Sequence, residues 1–173
     1  MSRRIAVWDP VVRIFHWSLV AGFAANAFYT RPGRDAHQTV GYVIAGLIAL
    51  RLVWGLVGTT HARFGDFLPS LRGVLGQVSD MATGRRRVHV GHSPLGALMI
   101  YNLILTIAGI AATGYALTTV SFFGVEWVEE MHEALVTWAE VSIVLHVAAV
   151  IIESRRLGVN LPVSMVTGYK DIP

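Results

Sequence analysis

Long apolar runs alternate with short polar breaks along this chain, and the pattern predicts four helices before any single residue is considered. The runs cover about 11–29, 37–57, 95–117 and 131–152. Each is near the roughly 20 residues that a helix needs to cross a hydrocarbon core about 30 Å thick. They are apolar on every face, with Gly and Ala interspersed where membrane helices pack closely. Buried helices of a soluble domain are the competing reading, but four such runs in 173 residues leave too little polar surface to enclose them. Between the second and third runs, Leu68, Leu71, Val74, Leu75 and Val78 recur at helical spacing, which predicts an amphipathic helix on the membrane surface. The expected fold is all-α: one integral membrane four-helix bundle over residues 1–173, with an interfacial helix between helices two and three.

Composition strengthens the lipid reading. Charged residues make up 14% of the chain and hydrophobic ones 54%, with a mean hydropathy of +0.55, where a soluble domain carries about 25% charged residues. There is no cysteine, which excludes disulfides, iron–sulfur clusters, covalently attached c-type haem and a thiolate nucleophile. The net charge is only +3, so the basic isoelectric point does not imply nucleic acid. Arg3 and Arg4 precede an apolar run, as in a signal peptide, but Asp9, Pro10, Arg13 and His16 interrupt that run and no small-x-small site follows Tyr29. The segment is expected to remain as the first span, and Arg3-Arg4 is a weak match to a twin-arginine signal.

The placement of charge sets the orientation. The N-terminal tail, the long loop 58–92 with Arg85, Arg86 and Arg87, and the C-terminal tail with Arg155 and Arg156 hold nearly all the basic residues. The two short loops on the other side contain only Arg31 and Arg34, and the second of them is acidic, with Glu126, Glu129, Glu130 and Glu133. The positive-inside rule then makes both termini and the long loop cytoplasmic.

Four histidines stand out against this frame. His132 and His146 lie fourteen residues apart on one apolar run, a rise of about 21 Å over almost four full turns, so both face the same side of a helix. His16 opens the first run at its cytoplasmic end, and His37 opens the second at its outer end. Their depths form two level pairs, His16 with His146 and His37 with His132. Ionisable groups within a bilayer are functional candidates by default, and paired histidines at two depths predict axial ligands for two stacked b-type haems. Bis-histidine ligation closes both axial positions and favours electron transfer over oxygen binding. A lone interfacial histidine is more simply a headgroup contact, and zinc or copper is the competing metal. No acidic or thiolate cluster stands beside these histidines at metal-site spacing.

Three further features carry chemistry or packing. Arg51, in Leu50-Arg51-Leu52-Val53-Trp54-Gly55, either snorkels to the interface or neutralises haem propionates, and the propionate reading is favoured. His92 precedes Ser93 and Pro94, a plausible cap and first residue of the third helix, and is a candidate for a quinone pocket or a propionate contact. His61 and His89 read as solvated surface histidines. Asn102 reads as an interhelical hydrogen bond, and Trp8, Trp17, Trp54 and Trp127 as an interfacial aromatic belt.

The stretch Val7-Trp8-Asp9-Pro10-Val11-Val12-Arg13-Ile14-Phe15-His16-Trp17 resembles the opening of the bacterial cytochrome b561 family. So do His37 with Gly41, Arg51-Leu52-Val53-Trp54-Gly55, and Gly91-His92-Ser93-Pro94-Leu95-Gly96-Ala97. The resemblance covers nearly the whole chain. It implies a four-helix dihaem protein that passes electrons between a periplasmic partner and membrane quinone, with His16, His37, His132 and His146 as haem ligands. The family includes the b-type cytochrome subunit of nickel–iron hydrogenases and the stand-alone superoxide oxidase.

Three functions compete. The favoured one is a dihaem b-type cytochrome exchanging electrons between quinone and a periplasmic protein such as a c-type cytochrome, with no catalytic residue of its own. A superoxide:quinone oxidoreductase would steer an anion to the outer haem, and the acidic outer loop opposes that. A non-redox membrane scaffold or metal transporter is the third. Membrane lipid and quinone are expected partners, nucleic acid is not, and a homodimer stays open.

Overall fold

The computed structural model describes residues 3–172. Six α-helices occupy most of the described chain: α1 Pro10–Phe28, α2 Asp35–Val57, α3 Leu71–Ala82, α4 Pro94–Ala116, α5 Glu126–Leu157 and α6 Leu161–Thr167. A short 3₁₀ turn, Phe64–Phe67, precedes α3. Among the described residues four helices are long and apolar enough to cross a membrane, and they are α1, α2, α4 and α5. Their boundaries follow the apolar runs closely except in α5, which starts at Glu126 and ends at Leu157. Glu126 and Glu129 in its first turn and Arg155 and Arg156 in its last oppose the helix dipole, so charged residues extend the helix beyond its apolar centre. Large apolar side chains stay exposed along these helices, Leu105 and Val144 each at 68%. In water such surface would be a liability, and in lipid it is the required coat.

Local chemistry sets the helix starts. The Asp9 carboxylate accepts from the Val12 amide at 2.9 Å and Pro10 opens α1. Burial pushes the Asp9 carboxyl up, but hydrogen bonds from Thr59, Val12, Trp54 and Val11 outweigh it and hold the group below its ordinary value. Ser93 caps α4 by accepting from the Gly96 amide at 3.2 Å, with Pro94 as first helical residue, as the sequence predicts.

Two compact units divide the described residues. One contains Ile14–Leu52 and Asn102–Ile143. Its core is Phe15, Ile44, Ile48 and Ile107, with Leu19, Val40, Leu47 and Ala108 packed around them. Asn102, in α4, donates to the Ser142 hydroxyl of α5 at 2.9 Å and accepts from the Trp138 indole at 2.9 Å, which is the interhelical bond expected of it.

The other unit contains the chain up to Arg13, Val53–Tyr101 and the chain from Val144 onward. It holds two elements absent from the expected all-α bundle, strands β1 (Arg3–Ala6) and β2 (Tyr169–Ile172), antiparallel with Ile5 opposite Lys170. Gly168 makes their join feasible. It takes φ 90°, closes α6 and accepts from the Val7 and Trp8 amides at 2.9 and 3.0 Å. A Cβ there would meet the Trp8 carbonyl at 2.8 Å, so conformation and space both demand glycine. In α3 the exposed face is apolar, with Leu71, Leu75 and Val78, while Gln77 and Asp80 are buried. Gln77 donates to Glu153 at 3.3 Å and accepts from the Leu95 amide at 2.9 Å, so the polar face of α3 is the one turned into the protein.

Candidate functional site: paired histidines on an apolar cavity

Within the first unit, His37 at the start of α2 and His132 near the start of α5 line one cavity of about 220 Å³. The walls are mainly apolar, from Phe23, Ile44, Ile107, Ile110 and Val136 among others, with Gly41, Ala45, Ala111 and Gly114 keeping space open. Two imidazoles are thus brought to one mainly apolar cavity from different helices. Their depths along the chain pair the same two residues.

Each ring is held through the same nitrogen. His37 Nδ1 lies 3.1 Å from the Thr30 hydroxyl and His132 Nδ1 lies 2.9 Å from the Thr113 hydroxyl. The Thr113 hydroxyl donates to the carbonyls of its own helix, Gly109 at 2.8 Å or Ile110 at 3.1 Å. Thr30 donates to Asn26, through the backbone carbonyl at 3.1 Å or the side-chain oxygen at 3.0 Å. A hydroxyl that gives its proton to one of these oxygens is left to accept from an imidazole N–H, and in that arrangement the ring proton sits on Nδ1 and Nε2 keeps its lone pair. That is the tautomer a metal ligand needs. Neither threonine announces itself in the sequence.

The other predicted residues fall as follows. His16, on α1, belongs to the same unit, is partly buried, and meets Trp17 edge-on at 5.0 Å between ring centroids. Arg51, on α2, is only 4% exposed, so its guanidinium is turned into the protein rather than out toward the surface. His146 lies on α5, partly buried, and belongs to the second unit.

His92 also lies in the second unit, where it is packed between two rings, Phe67 at 4.1 Å and Trp8 at 4.6 Å. With His61 and His89 it lines a polar cavity of about 290 Å³, together with Asp66, Ser70 and Thr60. His61 and His89 are therefore partly buried pocket residues, not the freely solvated histidines that their loop position suggests. Lys170 supports the rim. Buried in β2, it donates to the carbonyls of His89 at 3.2 Å and Gly91 at 2.7 Å and lies 5.1 Å from the Trp8 ring centre. Burial pushes its ammonium down to about 8. The Trp8 indole donates to Ser164 at 3.2 Å, so this tryptophan is tied into the unit's own packing.

Residues 7–168 match the family model described as prokaryotic cytochrome b561. The chain belongs to that family. Two relatives, each named a probable Ni/Fe-hydrogenase B-type cytochrome subunit, resemble it over part of their length. The protein of Bradyrhizobium diazoefficiens is 29% identical over 141 residues, covering 65% of this chain and 57% of the relative. That of Rhizobium leguminosarum bv. viciae is 26% identical over 141 residues, covering 65% of this chain and 59% of the relative. The matches thus span less than two thirds of those proteins. No solved structure matches. As a member of the cytochrome b561 family with four apolar helices of spanning length, the chain is a multi-pass membrane protein with haem b as its implied cofactor.

The residues fit that cofactor. Haem b without a covalent link needs imidazole or thioether ligands and an apolar enclosure for its ring. The cavity between His37 and His132 supplies two imidazoles, each engaged at Nδ1 by a threonine hydroxyl, within such walls.

Proposed function

We propose that this cytochrome b561 is a dihaem electron conduit of the bacterial inner membrane, passing electrons between membrane quinone and a redox protein on the periplasmic side. The observation that carries the reading is the apolar cavity faced by two histidines whose Nδ1 atoms are already engaged. His37 and His132 would hold the outer haem, and His16 and His146 the inner one. Haem iron, when bound, supplies reversible one-electron exchange between its ferric and ferrous states.

The chain's own residues do the rest. Fourteen residues of α5 separate His132 from His146, a rise of about 21 Å that puts one ligand toward each face of the membrane. Arg51 offsets the negative charge of a haem propionate, which its burial supports, because a guanidinium facing the protein interior favours an anionic partner. The polar cavity at His92, His61 and His89 receives the quinone headgroup, whose carbonyl oxygens accept from imidazole N–H groups. Basic loops set both termini and this cavity on the cytoplasmic side, and α3 rests its apolar face on the lipid.

On the opposite side, Glu126, Glu129, Glu130 and Glu133 form an acidic edge at the start of α5, all four exposed. Such an edge attracts a basic c-type cytochrome and disfavours superoxide. Electron transfer from a basic cytochrome is expected to slow several-fold as salt rises from low to physiological strength, and Glu129→Gln/Glu130→Gln should slow it at low salt and flatten the salt dependence. Stopped-flow reduction kinetics read both effects. A rate indifferent to salt and to the double substitution would remove the acidic edge as the docking surface.

A further inference from the structure

The two histidines of the cavity share a device beyond iron ligation. Each is anchored at Nδ1 by a threonine hydroxyl from another segment, Thr30 between α1 and α2 and Thr113 on α4. On the His37 side the anchor closes on itself. Thr30 bonds Asn26, and the Asn26 amide donates to the backbone carbonyl of His37 at 3.2 Å, so ring and backbone of one residue are tied by a single loop of hydrogen bonds. On the His132 side the neighbour of Thr113 is Gly114, where a Cβ would stand 3.1 Å from His132 Cε1 and 3.6 Å from Nδ1. The imidazole therefore lies against bare helix backbone, with the Thr113 hydroxyl fixing its rotation.

We propose that Thr30 and Thr113 are paired positioning residues that fix the tautomer and ring plane of His37 and His132 and thereby set the redox potential of the outer haem. This rests on the outer-haem reading given above. An acceptor on Nδ1–H makes Nε2 a stronger donor to iron and favours the ferric state, so the two threonines hold the potential down. Loss of such an outer partner typically weakens metal binding by about 10–100-fold. Because both axial ligands carry the same neutral acceptor, the two effects add in one direction. The ring planes are fixed independently, one by a turn and one by a helix.

The test uses the full-length protein in detergent, with spectroelectrochemical titration and low-temperature EPR of the two haems. Thr30→Val and Thr113→Val keep side-chain shape and remove the acceptor. Each should move the outer haem to a more positive potential and shift its low-spin g values, leaving the inner haem unchanged. Thr30→Ser and Thr113→Ser should restore both readings. Gly114→Ala should shift the g values of the same haem by displacing the His132 ring. If a valine variant loses the outer haem, the serine variant decides: retention with the wild-type signal supports the hydroxyl's role, and loss in serine too overturns it in favour of packing. Valine variants that keep the outer haem with unmoved potential and g values also overturn the proposal. Wild-type protein without a bis-histidine outer haem would defeat the underlying reading, and is distinguished because no variant is needed to see it.

Discussion

His132→Ala is expected to retain about half of the b-type absorbance, because on the proposed pairing it removes one axial ligand from one of two haems. His37→Ala should give the same spectrum. These two residues line one cavity from α2 and α5, so on the proposed ligation either loss would open the same iron. With one ligand gone the outer haem either dissociates or persists in a five-coordinate, high-spin form, and both outcomes differ visibly from the sharp low-spin bands of the pair. The fold should survive, because the core of that unit is Phe15, Ile44, Ile48 and Ile107, and neither histidine belongs to it. Optical difference spectra of each variant, normalised to protein, read the effect. Different haems lost from the two variants would break the outer pair.

The second large effect concerns the inner pair. His16→Ala and His146→Ala should each remove the inner haem, leaving about half of the absorbance and a normal outer signal. Function separates them from the outer variants. A periplasmic reductant should still reduce the outer haem at near wild-type rate, while quinone-coupled turnover is abolished, since nothing then bridges the membrane interior. In the outer variants quinol should still reduce the inner haem while exchange with the periplasmic protein is lost. The assignment also predicts what does not happen: His61→Ala and His89→Ala should leave both haem spectra intact. Finding that His16 and His132 govern one haem would overturn the pairing and the orientation with it.

Legibility differs sharply between these features. The spanning helices are written in composition, because lipid requires apolar residues on every face and no packing partner has to be known. Their caps are written as well, in Asp9-Pro10 and Ser93-Pro94, since capping is decided by residues within one turn. The meeting of His37 with His132 is legible because a membrane fixes depth, and depth converts sequence position into height. The Thr30 and Thr113 anchors are not, because they depend on how each segment is rotated toward its neighbour, which no local pattern encodes. The same holds for β1 with β2. Four-residue strands far apart in sequence, with Lys170 buried against Trp8, give no periodic signal. For the histidines of the long loop, position suggests solvent, yet Gly91 lets the His61 ring approach closely, a Cβ there standing 3.0 Å from His61 Nδ1.

The ratio of haem to protein in the purified wild type decides whether one chain carries two haems. Pyridine haemochrome absorbance against quantitative amino-acid analysis should give two b-type haems per chain, both low-spin, each titrating as a one-electron couple. A ratio of one, or no haem at all from protein purified under haem-replete expression, would rule out the dihaem conduit.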